Sequence, residues 1–151
     1  MLSPSGEGEV IILNIQKKVV VRFRDRRIVE GGTCNFKSNR EIFHVTEAHD
    51  DRKIIGISMS QLKTIFFVET LEKERDRRSP EDFSMESFHQ VMGRKVKITF
   101  FDGEVMYGII QGYTPHMKGF FIFPADEESN NKRAFVIRES TIAVEVFDPK
   151  G

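Results

Sequence analysis

Apolar and polar positions alternate through Val96-Lys97-Ile98-Thr99-Phe100, the two-residue period of a strand with one buried face, and Asp102-Gly103 follows as a hairpin turn signal. The same arrangement stands 77 positions earlier, where Val19, Val21 and Phe23 share a face and Asp25-Arg26 occupies the turn. At that offset Lys18/Lys95, Val19/Val96, Phe23/Phe100, Asp25/Asp102 and Gly31/Gly108 are identical, where composition alone gives about one match. The chain is therefore expected to contain one small fold twice. The first turn has arginine where the second has glycine, so either the loops differ or Arg26 takes a conformation that favours glycine.

Each copy continues in parallel. After an aromatic, Phe36 or Tyr113, come the strand-like runs Ile42-Phe43-His44-Val45 and Phe120-Phe121-Ile122-Phe123, aligned at an offset of 78, which implies a one-residue insertion before them. Two further runs close each copy, residues 54–59 and 63–68 in the first, 134–137 and 142–147 in the second. The pattern predicts a mainly β protein: two tandem small bent antiparallel sheets or barrels, Sm-like or SH3-like, with a helix between them. Ser79-Pro80-Glu81-Asp82 has the cap, first-turn proline and acids of a helix start, and Met85, Phe88 and Met92 form an apolar stripe before Gly93. The expected organisation is an N-terminal segment 1–15, a first repeat 16–70, a charged linker and helix 71–93, and a second repeat 94–148. The run Val10-Ile11-Ile12-Leu13 is either a cover for the first sheet or an extra strand.

Charge and composition narrow the function classes. The 23 basic and 23 acidic residues cancel, so the whole chain lacks the signature of a nucleic-acid binder. The copies differ, however: residues 16–70 carry 11 basic and 7 acidic side chains, residues 94–148 carry 7 and 8. No apolar run approaches the length of a membrane span and no signal peptide is evident, which leads us to expect a cytoplasmic protein that does not enter the membrane. Cys34 is the single cysteine and has no partner at metal-ligand spacing; it is expected to be a buried or half-buried structural thiol.

Val-Val-Val-Arg-Phe-Arg-Asp, Gly32-Thr33-Cys34-Asn35-Phe36 and Ile42-Phe43-His44-Val45 resemble an uncharacterised bacterial family that carries a strand, an Asp-Gly turn, a Gly-x-Thr-x-Asp-Phe element and a Phe-His-Leu strand. Asp102-Gly103, the run Gly119 to Asp126 and Ser129-Asn130-Asn131-Lys132-Arg133 look like that family's C-terminal half. The resemblance spans residues 16–147 and implies a domain found near bacterial signalling modules, with no established activity. Helix 80–91, Phe101-Asp102-Gly103 with Gly108, and Val136-Ile137-Arg138-Glu139-Ser140 are similar to the two sequence blocks of the Sm-like fold. Arg138 matches the arginine of the second block, but Glu139 replaces its glycine, so the fold is implied without the RNA pocket.

Candidate chemistry concentrates in the first hairpin. Lys17, Lys18, Arg22, Arg24, Arg26 and Arg27 are the most concentrated positive charge in the chain, and Lys18, Arg22 and Arg24 share one strand parity; Lys18, Arg22, Arg24, Arg26, Arg27 and Arg138 are the candidate binding residues. A solvated face that discourages edge pairing is the simpler account, since Asp25 and Glu30 lie in the same hairpin. Arg22 and Arg26 also have the spacing used by the PilZ family for cyclic di-guanylate, without that family's second element. His44, His49, His89 and His116 are scattered, and no phosphate-binding glycine loop occurs, so no catalytic residue, metal site or cofactor is expected. Phe66-Phe67 and Phe120-Phe121 place aromatics on both faces of their strands; one of each pair is expected in its own core and the other against the helix or the sister copy. These features point to a non-enzymatic bacterial binding or adaptor module that recognises a protein partner, capable of forming oligomers. The alternative is a nucleotide or nucleic-acid sensor, for cyclic di-guanylate or RNA, that uses the basic face of the first copy.

Overall fold

The computed structural model describes residues 16–71, 92–113, 117–125 and 131–147. The strands are β1 (Lys17–Phe23), β2 (Ile28–Thr33), β3 (Ile42–Glu47), β4 (Ile54–Ser58), β5 (Leu62–Val68), β6 (Arg94–Phe100), β7 (Val105–Ile110), β8 (Gly119–Pro124), β9 (Asn131–Ile137) and β10 (Thr141–Val146). A 3-10 turn precedes β5 at Met59–Gln61 and another precedes β10 at Arg138–Ser140. The ten strands of the described residues join one antiparallel sheet in the order β10-β6-β7-β8-β9-β5-β1-β2-β3-β4, which does not close among them.

This corrects the expectation of two separate sheets or barrels. β5 and β9 pair in register, Thr64 with Val136 and Phe66 with Ala134, and the sheet runs on through them. The cause lies in β5, whose seven residues Leu62–Val68 are all buried, so that neither its faces nor its edge is left to solvent. A strand apolar on both parities needs cover on both faces. The helix expected over 80–91, the linker ahead of it and the N-terminal run lie outside the described residues. Among the described residues there is no α-helix.

The two faces of the β5–β9 junction carry different cores. One gathers Val19, Val21, Phe23, Phe43, Val45, Ile57, Met59, Leu62, Ile65 and Phe67, and takes in Phe135 and Ile137 from β9. The other gathers Val96, Ile98, Phe100, Ile110, Phe120, Ile122, Ala134 and Val136, and takes in Phe66, Val68 and Leu71. Alternation explains the split: Phe67 and Phe66 point to opposite faces, and so do Phe135 and Val136. Phe120 likewise faces the second core while Phe121 packs on the first. Each double phenylalanine thus serves both halves of the molecule.

The halves also share backbone detail. The amide of Arg26 donates to the carbonyl of Phe23 and that of Gly103 to the carbonyl of Phe100, both with positive φ, 79° at Arg26 and 92° at Gly103. The arginine therefore does adopt the conformation of the glycine turn. Gly31 and Gly108 are identical for a steric reason: a Cβ would lie 2.0 Å from the carbonyl oxygen of Thr46 at the first and 2.6 Å from that of Phe123 at the second. At these points β2 meets β3 and β7 meets β8, with Gly31 opposite Glu47 and Gly108 opposite Pro124. Both pairs keep the offset of 77, so no residue is inserted before β3 and β8. The extra length falls in the next loop, because the 3-10 turns that follow, Met59–Gln61 and Arg138–Ser140, are 79 apart.

Candidate functional site

The structure brings four of the six candidate cations together. Arg22, Arg24, Arg26 and Arg27 line a recess of about 290 Å³ with Phe23, Ile28, Lys63 and Asp102. Lys18 lies toward the opposite end of β1, where its ammonium donates to the carbonyl of Glu69 at 3.4 Å. Arg138 stands apart, its guanidinium donating to the carbonyl of Met117 and to the Tyr113 hydroxyl and lying 5.4 Å from the Tyr113 ring centroid.

The recess forms where the basic β1–β2 hairpin meets the acidic β6–β7 hairpin. Arg22 makes a forked pair with the Glu104 carboxylate, its two nitrogens 3.3 and 3.0 Å from the two oxygens. The Arg24 guanidinium lies 5.0 Å from the centroid of Phe101. Lys63 is the extra residue of a bulge in β5, since Arg22 faces Thr64 while Phe23 faces Leu62. The bulge turns its side chain toward the second hairpin, where it bonds Asp102 at 2.7 Å and also Glu104, beneath the Phe100 ring at 4.9 Å. Only 4% of the Lys63 side chain is exposed, so its charge depends on these two carboxylates. Their ionisation follows. The Lys63 hydrogen bond, helped by the Glu104 amide, holds Asp102 below the usual carboxylate range. Burial pushes Glu104 up, but Lys63 and Arg22 together outweigh it and the net shift is downward.

Most of the basic run is thereby committed within the molecule. Arg27 caps its own turn, pairing with Asp25 at 2.9 Å while its guanidinium lies 4.3 Å from the Phe23 ring. The Arg27 amide and side chain in turn lower the Asp25 pKa. Among the described residues Arg26 makes no side-chain hydrogen bond or ion pair, and Arg24 has only its ring contact. Phosphate or carboxylate binding at the hairpin would rest on these two.

Several residues that shape the charged surface were not singled out from the sequence. Lys63 carried a signal, a lone cation inside the apolar run Leu62–Val68. Lys17 belonged to the basic run of the first hairpin, but Lys132 and Arg133 carried no such signal, because nothing local in the chain places the start of β9 beside the start of β1. Cys34 is exposed rather than buried. Next to it Asn35 accepts from the His44 amide at 2.9 Å and meets His44 Nδ1 at 3.0 Å, tying the loop to β3. Among the described residues no cluster of His, Cys, Asp and Glu has the makings of a metal site, and no helix is long and apolar enough to cross a membrane.

Residues 15–148 match the model of a family of unknown function, DUF6982. The chain belongs to that family. No curated protein and no solved structure matches it significantly.

Proposed function

For this member of DUF6982 we propose a non-enzymatic bacterial binding or adaptor module, acting in the cytoplasm and in signalling, that recognises a protein partner by adding an extended segment of it to the edge of β4. The supporting observation is the contrast between the two outer strands. β4, Ile54-Ile55-Gly56-Ile57-Ser58, has no charge, proline or bulge, and its Ile54 is 65% exposed. β10 is interrupted by a bulge between Thr141 and Ala143 and carries Glu145. Bulges and charges are the devices that keep sheet edges from pairing, and β4 lacks them. On its outer face Ile54, Gly56 and Ser58 lie beside Thr46, His44 and Ile42 of β3. Gly56 leaves a notch next to the His44 ring into which a partner's side chain fits, flanked by two exposed isoleucines.

The two halves are, in this proposal, copies of one five-stranded unit of Sm-like character. The strand orders β5-β1-β2-β3-β4 and β10-β6-β7-β8-β9 are the same, and each unit has a 3-10 turn before its last strand. The alternative, nucleotide or nucleic acid on the basic hairpin, is weakened by the pairing of Arg22 with Glu104 and of Arg27 with Asp25.

A photo-crosslinking residue placed at Ile54 in the full chain, in its native cells, is expected to yield a protein adduct that Gly56→Glu abolishes, whereas the same probe at Glu145 yields none. Equal adducts at both edges, none at Ile54, or recovery of nucleic acid alone would overturn the proposal.

A further inference from the structure

A second recess lies toward the other end of β1, away from the basic hairpin. It is a groove of about 590 Å³ whose lining includes Lys17, Lys18, Glu69, Phe123, Lys132 and Arg133. The strand order assembles it. β1, β5 and β9 are antiparallel neighbours, so the starts of β1 and β9 and the end of β5 meet at one end of the sheet. Four cations face one carboxylate there, and among the described residues Lys17, Lys132 and Arg133 have no carboxylate partner.

Two features make this more than a patch of solvated lysines. Arg133 is clamped: its guanidinium lies 4.9 Å from the centroid of Phe67 and 4.3 Å from that of Phe121. Stacking fixes the plane of the group and leaves its N–H edge, which has no acceptor among the described residues, as the donor set, the geometry that suits a forked contact with an oxyanion. Lys132 is aimed: β9 bulges at this residue, with Phe67 opposite Arg133 but Val68 opposite Asn131. A bulge next to a recess redirects a side chain that regular pairing would place elsewhere.

We propose that this groove binds a phosphate-bearing ligand of about the size of a mononucleotide, with Arg133 as the stacked prong, Lys132 turned toward it by the bulge and Lys17 beside them. Its volume falls in the range of small-molecule sites, roughly 300–1,000 Å³. Among the described lining residues the excess of three positive charges favours phosphate, which carries about −1.5 to −2 at neutral pH, over a single carboxylate. Val68 and Phe123 supply an apolar wall for the remainder of the ligand. The site is independent of the β4 edge and stands or falls without it.

The test is calorimetric titration of the full chain with inorganic phosphate, a nucleoside monophosphate and a glutamate-rich peptide. The nucleoside monophosphate is expected to bind, and added salt to weaken it. Inorganic phosphate binding as tightly would assign the recognition to the phosphate group alone and still support the site. Lys17→Ala with Lys132→Ala, which removes only exposed or bulged side chains, is expected to reduce affinity by roughly tenfold, the equivalent of one or two charge-assisted contacts. Arg133→Lys keeps the charge but loses the fork and should reduce it similarly, while Arg40→Ala, on the exposed loop before β3, should not. Binding of neither phosphate compound, binding of the peptide alone, or unchanged affinity in the double lysine variant would overturn the proposal.

Discussion

Arg26 pays a conformational cost that Gly103 does not. With φ at 79° it occupies the left-handed region, which disfavours an L-residue by roughly 1–2 kcal/mol, partly offset by the smaller chain entropy it loses relative to glycine. Arg26→Gly is accordingly expected to raise unfolding stability by about 0.5–1 kcal/mol, seen as a higher urea midpoint at unchanged slope. A midpoint that stays put or falls would mean that the arginine side chain returns more than the strain it causes. Residues held in such conformations concentrate at functional positions, and Arg26 is also one of the hairpin cations without a carboxylate among the described residues. The sequence showed the turn, its glycine counterpart and the tension between them. Whether the loop or the residue would yield was decided by Phe23 and Arg27, whose backbones bond each other across the turn at 2.9 Å.

Between elements, the tie with the clearest pH signature joins the loop before β3 to the loop before β8. Glu41 accepts from the Ser58 hydroxyl at 2.5 Å and the Ser60 amide at 2.9 Å, and pairs with Lys118 at 3.0 Å. The Ser58 bond chiefly, then the Ser60 amide and Lys118, lower its pKa from 4.5 to about 2. A depressed carboxylate stabilises the folded state above its unfolded pKa, and the contribution is lost as pH falls through the folded value. Glu41→Gln is therefore expected to cost about 1 kcal/mol at pH 7, discounted for solvent exposure, and the difference should close between pH 4.5 and 2. Chemical denaturation of both proteins across that range checks it, and a gap independent of pH would contradict it. Elements were legible at the sequence level where alternation was clean, as in β1, β6 and both hairpins. Their neighbours were not: Glu41 and Lys118 are 77 residues apart, and only the β5–β9 junction brings them together.

Across the whole molecule the two cores are interdependent. Phe135 and Ile137 of β9 complete the core of the first half, and Phe66 and Val68 of β5 complete that of the second. Neither half can lose its fold without exposing the other's apolar residues, so unfolding is expected as a single transition with equal calorimetric and van't Hoff enthalpies. Two resolved transitions would show that the halves are energetically separate. The internal similarity announced two sheets and did not announce their fusion, because periodicity describes which face of a strand is apolar and is silent on which edge finds a neighbour. The apolar run on both parities of β5 was the trace of that fusion, visible in Phe66-Phe67.

The same junction sets a condition on synthesis. Val68 leaves the ribosome 63 residues before Asn131, its partner across the junction. At about 5–20 residues per second the interval lasts roughly 3–13 s. Throughout it the nascent chain holds a seven-residue strand, with apolar residues on both sides, that has β1 along one edge while its other neighbour has not yet been made. A chaperone that grips extended apolar segments would find its strongest claim on this protein there, before the molecule has finished becoming one sheet.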